Sequence, residues 1–206
     1  MKILAVSDMV VDRLYSAQVA ERFRDVELLL GCGDLPYDYL EFLVTAMNIP
    51  LYYIPGNHDP RYDENSPEAE AVGCCFLDRR VARVKGLTIA GIGGSIRYKP
   101  KGANQYTQAE MYSRLLSFLP SLAWHTSRNH GILDIVIAHS PPRGIHDEDD
   151  HAHVGFSAFV DLIRLFKPRY FLHGHTMVYK CNIVPPETKV GETTVINVYP
   201  YRVIEI

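Results

Sequence analysis

Four short apolar runs in this chain stop abruptly at residues that bind cations or move protons, and this constrains the fold more than any other feature. The plainest is residues 51–59, LYYIPGNHD, where an aromatic-rich run of the kind that makes a buried strand ends at Pro55-Gly56. Asn57, His58 and Asp59 therefore sit at a strand's end. Gly33-Asp34, His139 after IVIA and His173-Gly174-His175 after RYF repeat the arrangement. The chemistry of such a chain comes from scattered strand ends, which only a tertiary fold can bring together.

The order of elements says which fold does so. Residues 3–6 read as a buried strand, 14–23 as a helix from the spacing of Leu14, Ala17, Val19, Ala20 and Phe23, and 26–30 as a second strand. Pro36 suits a helix's first turn, the pattern runs on to Met47, and the LYYIP strand follows. Alternating β and α units imply a largely parallel sheet with its functional loops at the C-terminal edge. Residues 60–72 are polar and read as a loop at the mouth of the site.

From residue 81 to 94 the period changes, and a turn at Lys85-Gly86 predicts a hairpin in a second sheet. Thr107 with Glu110 is a capping box ahead of a long amphipathic run, which Pro120 is expected to kink or end, with a second piece to about residue 129. A strand over 133–138, a loop over 143–153, a helix over 156–166 and a strand over 170–172 come next. Residues 178–184, 193–198 and 202–206 are expected to be antiparallel strands.

With 206 residues, one domain over 1–206 is the simplest division, and it is large enough to bury roughly 70% of the unfolded chain's surface. A formal charge of −3 gives no electrostatic footprint for nucleic acid. MKILAVSD reads as a first strand rather than a leader, and no stretch approaches the ~20 apolar residues of a membrane span, so a cytoplasmic protein without membrane contact is expected. Cys32, Cys74, Cys75 and Cys181 form no CxxC pair and are expected as buried, reduced thiols.

In-line phosphoryl displacement with two metals needs a bridging carboxylate, further oxygen ligands and imidazoles. Asp8, Asp34, Asn57, His139 and His175 supply these in order, each directly after a strand. Asparagine is an uncommon ligand, so Asn57 beside His58 is the most specific signal. Singly, each residue has an ordinary reading: Asp34 as a helix cap, His139 or His175 as hydrogen-bonded histidines, Asp59 as a loop brace or the orienter of a histidine.

Together GD, GNHD, a strand-terminal His and HGH resemble the calcineurin-like metallophosphoesterase superfamily, from Asp8 to Met177. The resemblance implies a four-layer α/β/β/α sandwich of two mixed β-sheets flanked by helices. It also implies that Asp34 bridges two metals, that Asn57, His139 and His175 complete the shell of one, and that His58 protonates the leaving oxygen. Manganese, iron or zinc are the divalent ions expected. The family's DxH and GHxH motifs are here Asp8-Met9-Val10 and Gly174-His175-Thr176-Met177, so the other metal loses two imidazoles. Valine cannot ligate, a thioether is soft, and only Asp8 and Asp34 remain unless Asp12 or water fills in. One firm metal site and one weakened site are therefore expected.

The reaction this implies is hydrolysis of a small-molecule or nucleotide phosphate ester, diester or monoester, with activity reduced or retuned. Protein serine/threonine phosphatases of the superfamily carry GDxxDRG and GNHE, whereas Asp34 here precedes Leu35-Pro36-Tyr37-Asp38 and the second motif is GNHD. The competing reading is a catalytically attenuated binding or scaffold module, for which Val10 and Met177 speak and against which His58 speaks. Arg61 and Arg143 follow site motifs closely and read either as phosphate-holding groups or as ordinary surface arginines. Residues 146–153, HDEDDHAH, read as a solvated loop, a separate metal-binding tract or a rim that supplies a substitute ligand.

Overall fold

The computed structural model describes residues 1–61, 70–128, 130–178 and 186–206. The first half holds β1 (Lys2–Val6), α1 (Val19–Arg22), β2 (Val26–Gly31), α2 (Tyr37–Met47), β3 (Leu51–Tyr53), β4 (Cys75–Phe76), β5 (Val81–Val84) and β6 (Leu87–Ile92). Next come β7 (Ser95–Ile96), β8 (Gln105–Tyr106), α3 (Gln108–Ser127), β9 (Ile135–Ala138), α4 (Ser157–Phe166), β10 (Tyr170–His173), β11 (Glu187–Val190), β12 (Thr193–Asn197) and β13 (Tyr201–Glu205).

Two mixed sheets result, ordered β13-β1-β2-β3-β4 and β11-β12-β10-β9-β6-β5, beside a small β7-β8 ribbon. β1 to β4 run parallel, with β13 antiparallel on β1. In the second sheet β6, β9, β10 and β12 are parallel, and β5 and β11 are antiparallel edges.

Strand alternation builds the layers. Ile3, Ala5, Leu28 and Leu30 face Ile135, Ile137, Leu172 and Ile196 between the sheets. Their neighbours Leu4, Val6 and Leu29 point the other way, onto Leu40 and Leu43 of α2. Val136, Phe171 and Val195 likewise turn outward onto Phe118 of α3 and Phe159 and Leu162 of α4. Side chains at successive strand positions take opposite faces, so a strand buried on both faces is apolar throughout. That is the four-layer sandwich expected.

Several local expectations fail for identifiable reasons. The helix over 14–23 shrinks to Val19–Arg22, because Leu14 is held in a turn by Leu14 N donating to Val11 O. Pro120 neither ends nor divides α3. An interior proline costs about 3 kcal/mol, but Met111, Leu115, Phe118 and Leu122 are buried on the second sheet, and that packing carries the helix across. The capping box forms as read, with Glu110 N donating to Thr107 Oγ1 and Thr107 N to Glu110 Oε2.

The last strands are not all antiparallel: β12 lies parallel to β10, and β13 crosses to the first sheet. Of the strand expected over 178–184, all but Val178 lies outside the described residues, and the partner of β12 is β11. Cys32 is buried, but Cys74 is only half-buried and Cys75 is exposed; Cys181 is not among the described residues. No helix among the described residues is long and apolar enough to cross a membrane.

Candidate metal centre

Every residue of the expected set lies where a parallel strand ends: Asp8 after β1, Asp34 after β2, Asn57 and His58 after β3, His139 after β9 and His175 after β10. The loops turn sharply there. Asp8, Asp34 and His175 have φ of 64°, 55° and 68°, a left-handed conformation that costs an L-residue roughly 1–2 kcal/mol. Two glycines allow the loops to close on each other. A Cβ at Gly56 would strike the Asp34 carboxylate, and one at Gly174 would strike the Ser7 hydroxyl and the Asp8 carboxylate.

His139 Nε2 is the focus. It lies 3.1 Å from Asn57 Oδ1, 3.1 Å from His175 Nδ1 and 3.3 Å from Asp34 Oδ2. The opposite side of each group fixes this orientation. His139 Nδ1 donates to the Cys32 carbonyl at 2.9 Å, His175 Nε2 donates to the Ala152 carbonyl at 2.8 Å, and Asn57 Nδ2 donates to Tyr98 Oη at 3.1 Å. An imidazole that donates from one nitrogen presents a lone pair at the other. Four lone pairs therefore converge, each steadied by an outer partner, as ligands of a cation are.

The spacing also fits a cation, because donors bound at about 2.1 Å from one ion lie about 3.0–3.4 Å apart around it. Charge agrees. Burial disfavours a charged His139, but the carboxylates of Asp34 and Asp8 and the Cys32 carbonyl prevail and lift it to about 10. Burial opposes ionisation of Asp34 too, yet His139 and hydrogen bonds from His58 hold its carboxyl well below the usual range. Burial, with His139 alongside, holds His175 neutral with a pKa of about 3. The carboxylates beside His139 thus favour positive charge at this point, and Asp34, His139 and His175 are close enough together to hold a metal ion.

His58 differs from this set. Its side chain is 67% exposed, and its Nδ1 donates to Asp34 Oδ2 at 2.7 Å while its backbone N donates to Asp34 Oδ1 at 2.8 Å. One carboxylate thus aims the ring outward over the centre. Asp59 does not orient a histidine. It braces the loop, accepting from the backbone N of Gly56, Asp34 and Leu35. Asp34 does not cap α2, whose N-cap is Pro36.

The remaining members behave otherwise. Asp8 is buried and accepts from His175 N at 2.9 Å, which fastens the turn; burial pushes its pKa up. Val10 packs against the apolar cluster of α2 and β1, Met177 is half-exposed, and Asp12 is exposed. Arg61 donates to the Gly102 carbonyl at 3.3 Å, and Arg143 is exposed, its backbone N on the Phe156 carbonyl. Neither is brought against Asp34 or His58 by any described contact.

The tract 146–153 is not simply solvated, because it also contacts His173 and His175 at the end of β10. Ala152 holds His175, and His146 Nδ1 lies 2.9 Å from His173 Nε2. Within it Glu148, Asp150 and His153 form a second, more exposed group with ligand atoms inside 4.8 Å, which leaves the reading as a metal-binding tract open. Sequence reasoning missed Tyr98 and Asn104, the latter donating to the Gly56 and Asp59 carbonyls at 2.9 and 3.0 Å. Neither has a signal in a local pattern, since they act across 41 and 48 residues of chain.

The chain is 26% identical over 212 residues to the uncharacterized protein MJ1162 of Methanocaldococcus jannaschii, an alignment that covers 97% of this chain and 88% of that one. The crystal structure of TT1561 of Thermus thermophilus superposes with a TM-score of 0.62 at 16% identity, covering 96% of this chain and 88% of that one. At that identity the likeness speaks for the fold alone. The family model described as calcineurin-like phosphoesterase matches residues 1–179, which takes in every strand end that carries the centre. With that model matching most of its length, this chain belongs to the calcineurin-like phosphoesterase family.

Proposed function

We propose that this chain hydrolyses a phosphate ester of a small molecule or nucleotide, using one firmly held divalent ion bound by Asp34, Asn57, His139 and His175. The observation that carries the reading is the convergence of three donor atoms within 3.1–3.3 Å of His139 Nε2, each group held in that orientation from outside. Such an ion, manganese, iron or zinc, supplies Lewis acidity for the phosphoryl oxygens and for water. Asp34 anchors both the donor set and His58. His58, exposed and steadied by Asp34, gives a proton to the departing oxygen, for which its position at the rim suits it.

The second ion position of the family is weakened in this proposal. Asp8 is engaged by the His175 backbone, Val10 is packed among apolar side chains, and Met177 offers only sulfur. Activity is therefore reduced or retuned relative to a two-metal site. The test is metal content per chain by elemental analysis, with hydrolysis of an aryl phosphodiester and an aryl phosphomonoester in added manganese. About one ion per chain with turnover supports the proposal; no metal and no turnover overturns it.

A further inference from the structure

Behind the loop that carries Asn57 and His58 lies a hollow of about 800 Å³. Pro55 and Arg61, at the two ends of that loop segment, line it, and Asn104, which ties the loop down through the Gly56 and Asp59 carbonyls, lines it as well. The hollow and the metal centre thus share a wall. The other walls come from the chain between β4 and β5, from the β8 ribbon and from one face of α3.

Its charge sets it apart. Arg61, Arg79, Arg80, Arg97 and Arg114 line it, against Asp78 and Glu110, in a chain whose formal charge is −3. Asp78 takes up Arg114 through contacts of 2.8 and 2.9 Å, and Glu110 takes up Arg97 at 2.8 Å. Among the described residues no carboxylate pairs with Arg61 or Arg79. Guanidinium groups gathered in a concave wall focus positive potential and match phosphate oxygens in fork geometry. Arg114 Nε is also buried without a hydrogen-bond partner. On α3, Ser113, Ser117 and Ser121 recur every fourth residue on the face that lines the hollow, and these short hydroxyl side chains leave its volume open.

We propose that this hollow is a second binding site, distinct from the metal centre, for a small polyphosphate: a molecule with two or more linked phosphate groups. One phosphate needs neither this volume nor this many cations, and 800 Å³ is the size of a small-molecule site. A single nucleic-acid strand fits less well, since strand binding uses free aromatic faces. Here the Arg114 guanidinium covers the Tyr106 ring at 4.1 Å, and Arg80 stands over Phe76 at 5.5 Å. Arg61 follows the loop of His58 and Asn104 ties that loop down, so the two sites adjoin.

The test is isothermal titration of the full-length protein with inorganic triphosphate in magnesium-containing buffer, a readout that needs no hydrolysis and so stands apart from the proposed activity. Binding is expected to weaken at least about tenfold in Arg79→Glu, an exposed position whose change leaves the core alone, and to stay within about twofold in Asn57→Ala. Orthophosphate is expected to bind at least about tenfold more weakly than triphosphate. Adenosine triphosphate binding more tightly than inorganic triphosphate would show that the site also reads a nucleoside; equal affinity would show that it reads the phosphate chain alone. Binding lost in Asn57→Ala but kept in Arg79→Glu would put the anion at the metal centre and overturn the proposal. So would no binding at all, or tighter binding of a single-stranded oligonucleotide.

Discussion

The two halves of the centre are built from the same kind of loop and have come to different ends. Around His139, three further donors turn lone pairs inward, and each has a partner outside that fixes its orientation. On the Asp8 side the same strand-end geometry survives, down to a left-handed Asp8 and a glycine at 174 with no room for a Cβ. Yet Val10 is absorbed into the apolar packing and the Asp8 carboxylate serves the His175 backbone. The difference teaches that the loop fold and the ligand set are separable. Backbone closure depends on glycines and carboxylate-to-amide bonds, whereas ion binding depends on which side chains those loops carry.

The comparison breaks most decisively at its focus. His139→Ala is expected to remove the bound ion and cut hydrolysis at least about a thousandfold, since several kcal/mol of charge stabilisation go with it; elemental analysis and initial rates check both. Retention of one ion per chain would mean that the Asp8 half is the working site. Next in size, His58→Ala is expected to keep the ion and lower turnover about a hundredfold or more. Unchanged turnover would remove His58 from the chemistry.

The difference between the halves is sharpened by placing imidazoles at positions 10 and 177. Val10→His with Met177→His is expected to raise metal content from about one ion per chain towards two, read by elemental analysis, because carboxylates at 8 and 34 then gain two imidazole partners. No gain would show that packing around position 10 has closed that half.

The smallest effect concerns the paired imidazoles of His146 and His173 beside the centre. Burial holds His146 down to about 4, and burial with His146 alongside holds His173 down to about 3. Their native forms are neutral, whereas unfolded imidazoles titrate near 6.5. Their contribution to stability is complete above pH about 6.5 and is lost as pH falls through about 4 for His146 and about 3 for His173. The denaturant midpoint is expected to drop across that window, less steeply in His146→Gln. An equal slope in that variant would mean that other groups set the acid limit.

The layers were legible in the sequence because a doubly buried strand is apolar at every position, as in residues 135–138, and this shows in a short window. Pro120 and the stretch 14–18 misled the reading for the opposite reason. Local propensity argued for a break at 120 and a helix at 14–18, while burial of Phe118 and Leu122, and of Leu14 in its turn, decided both. The arginines at 61, 79, 80, 97 and 114 show no local pattern either, and only the fold gathers them.

By itself the sequence determined which residues with ligand-type side chains follow the strands, because that is a property of neighbouring residues. Tertiary structure alone decided which nitrogen of each ring faces inward, that Tyr98 and Ala152 hold Asn57 and His175, and that the tract 146–153 clasps the centre. These contacts join residues as far apart as 107 positions, for His139 with Cys32, and 167, for His175 with Asp8. A hydrogen bond across such a span has no periodicity to announce it; it exists only once both sheets have packed and brought their strand ends to one edge.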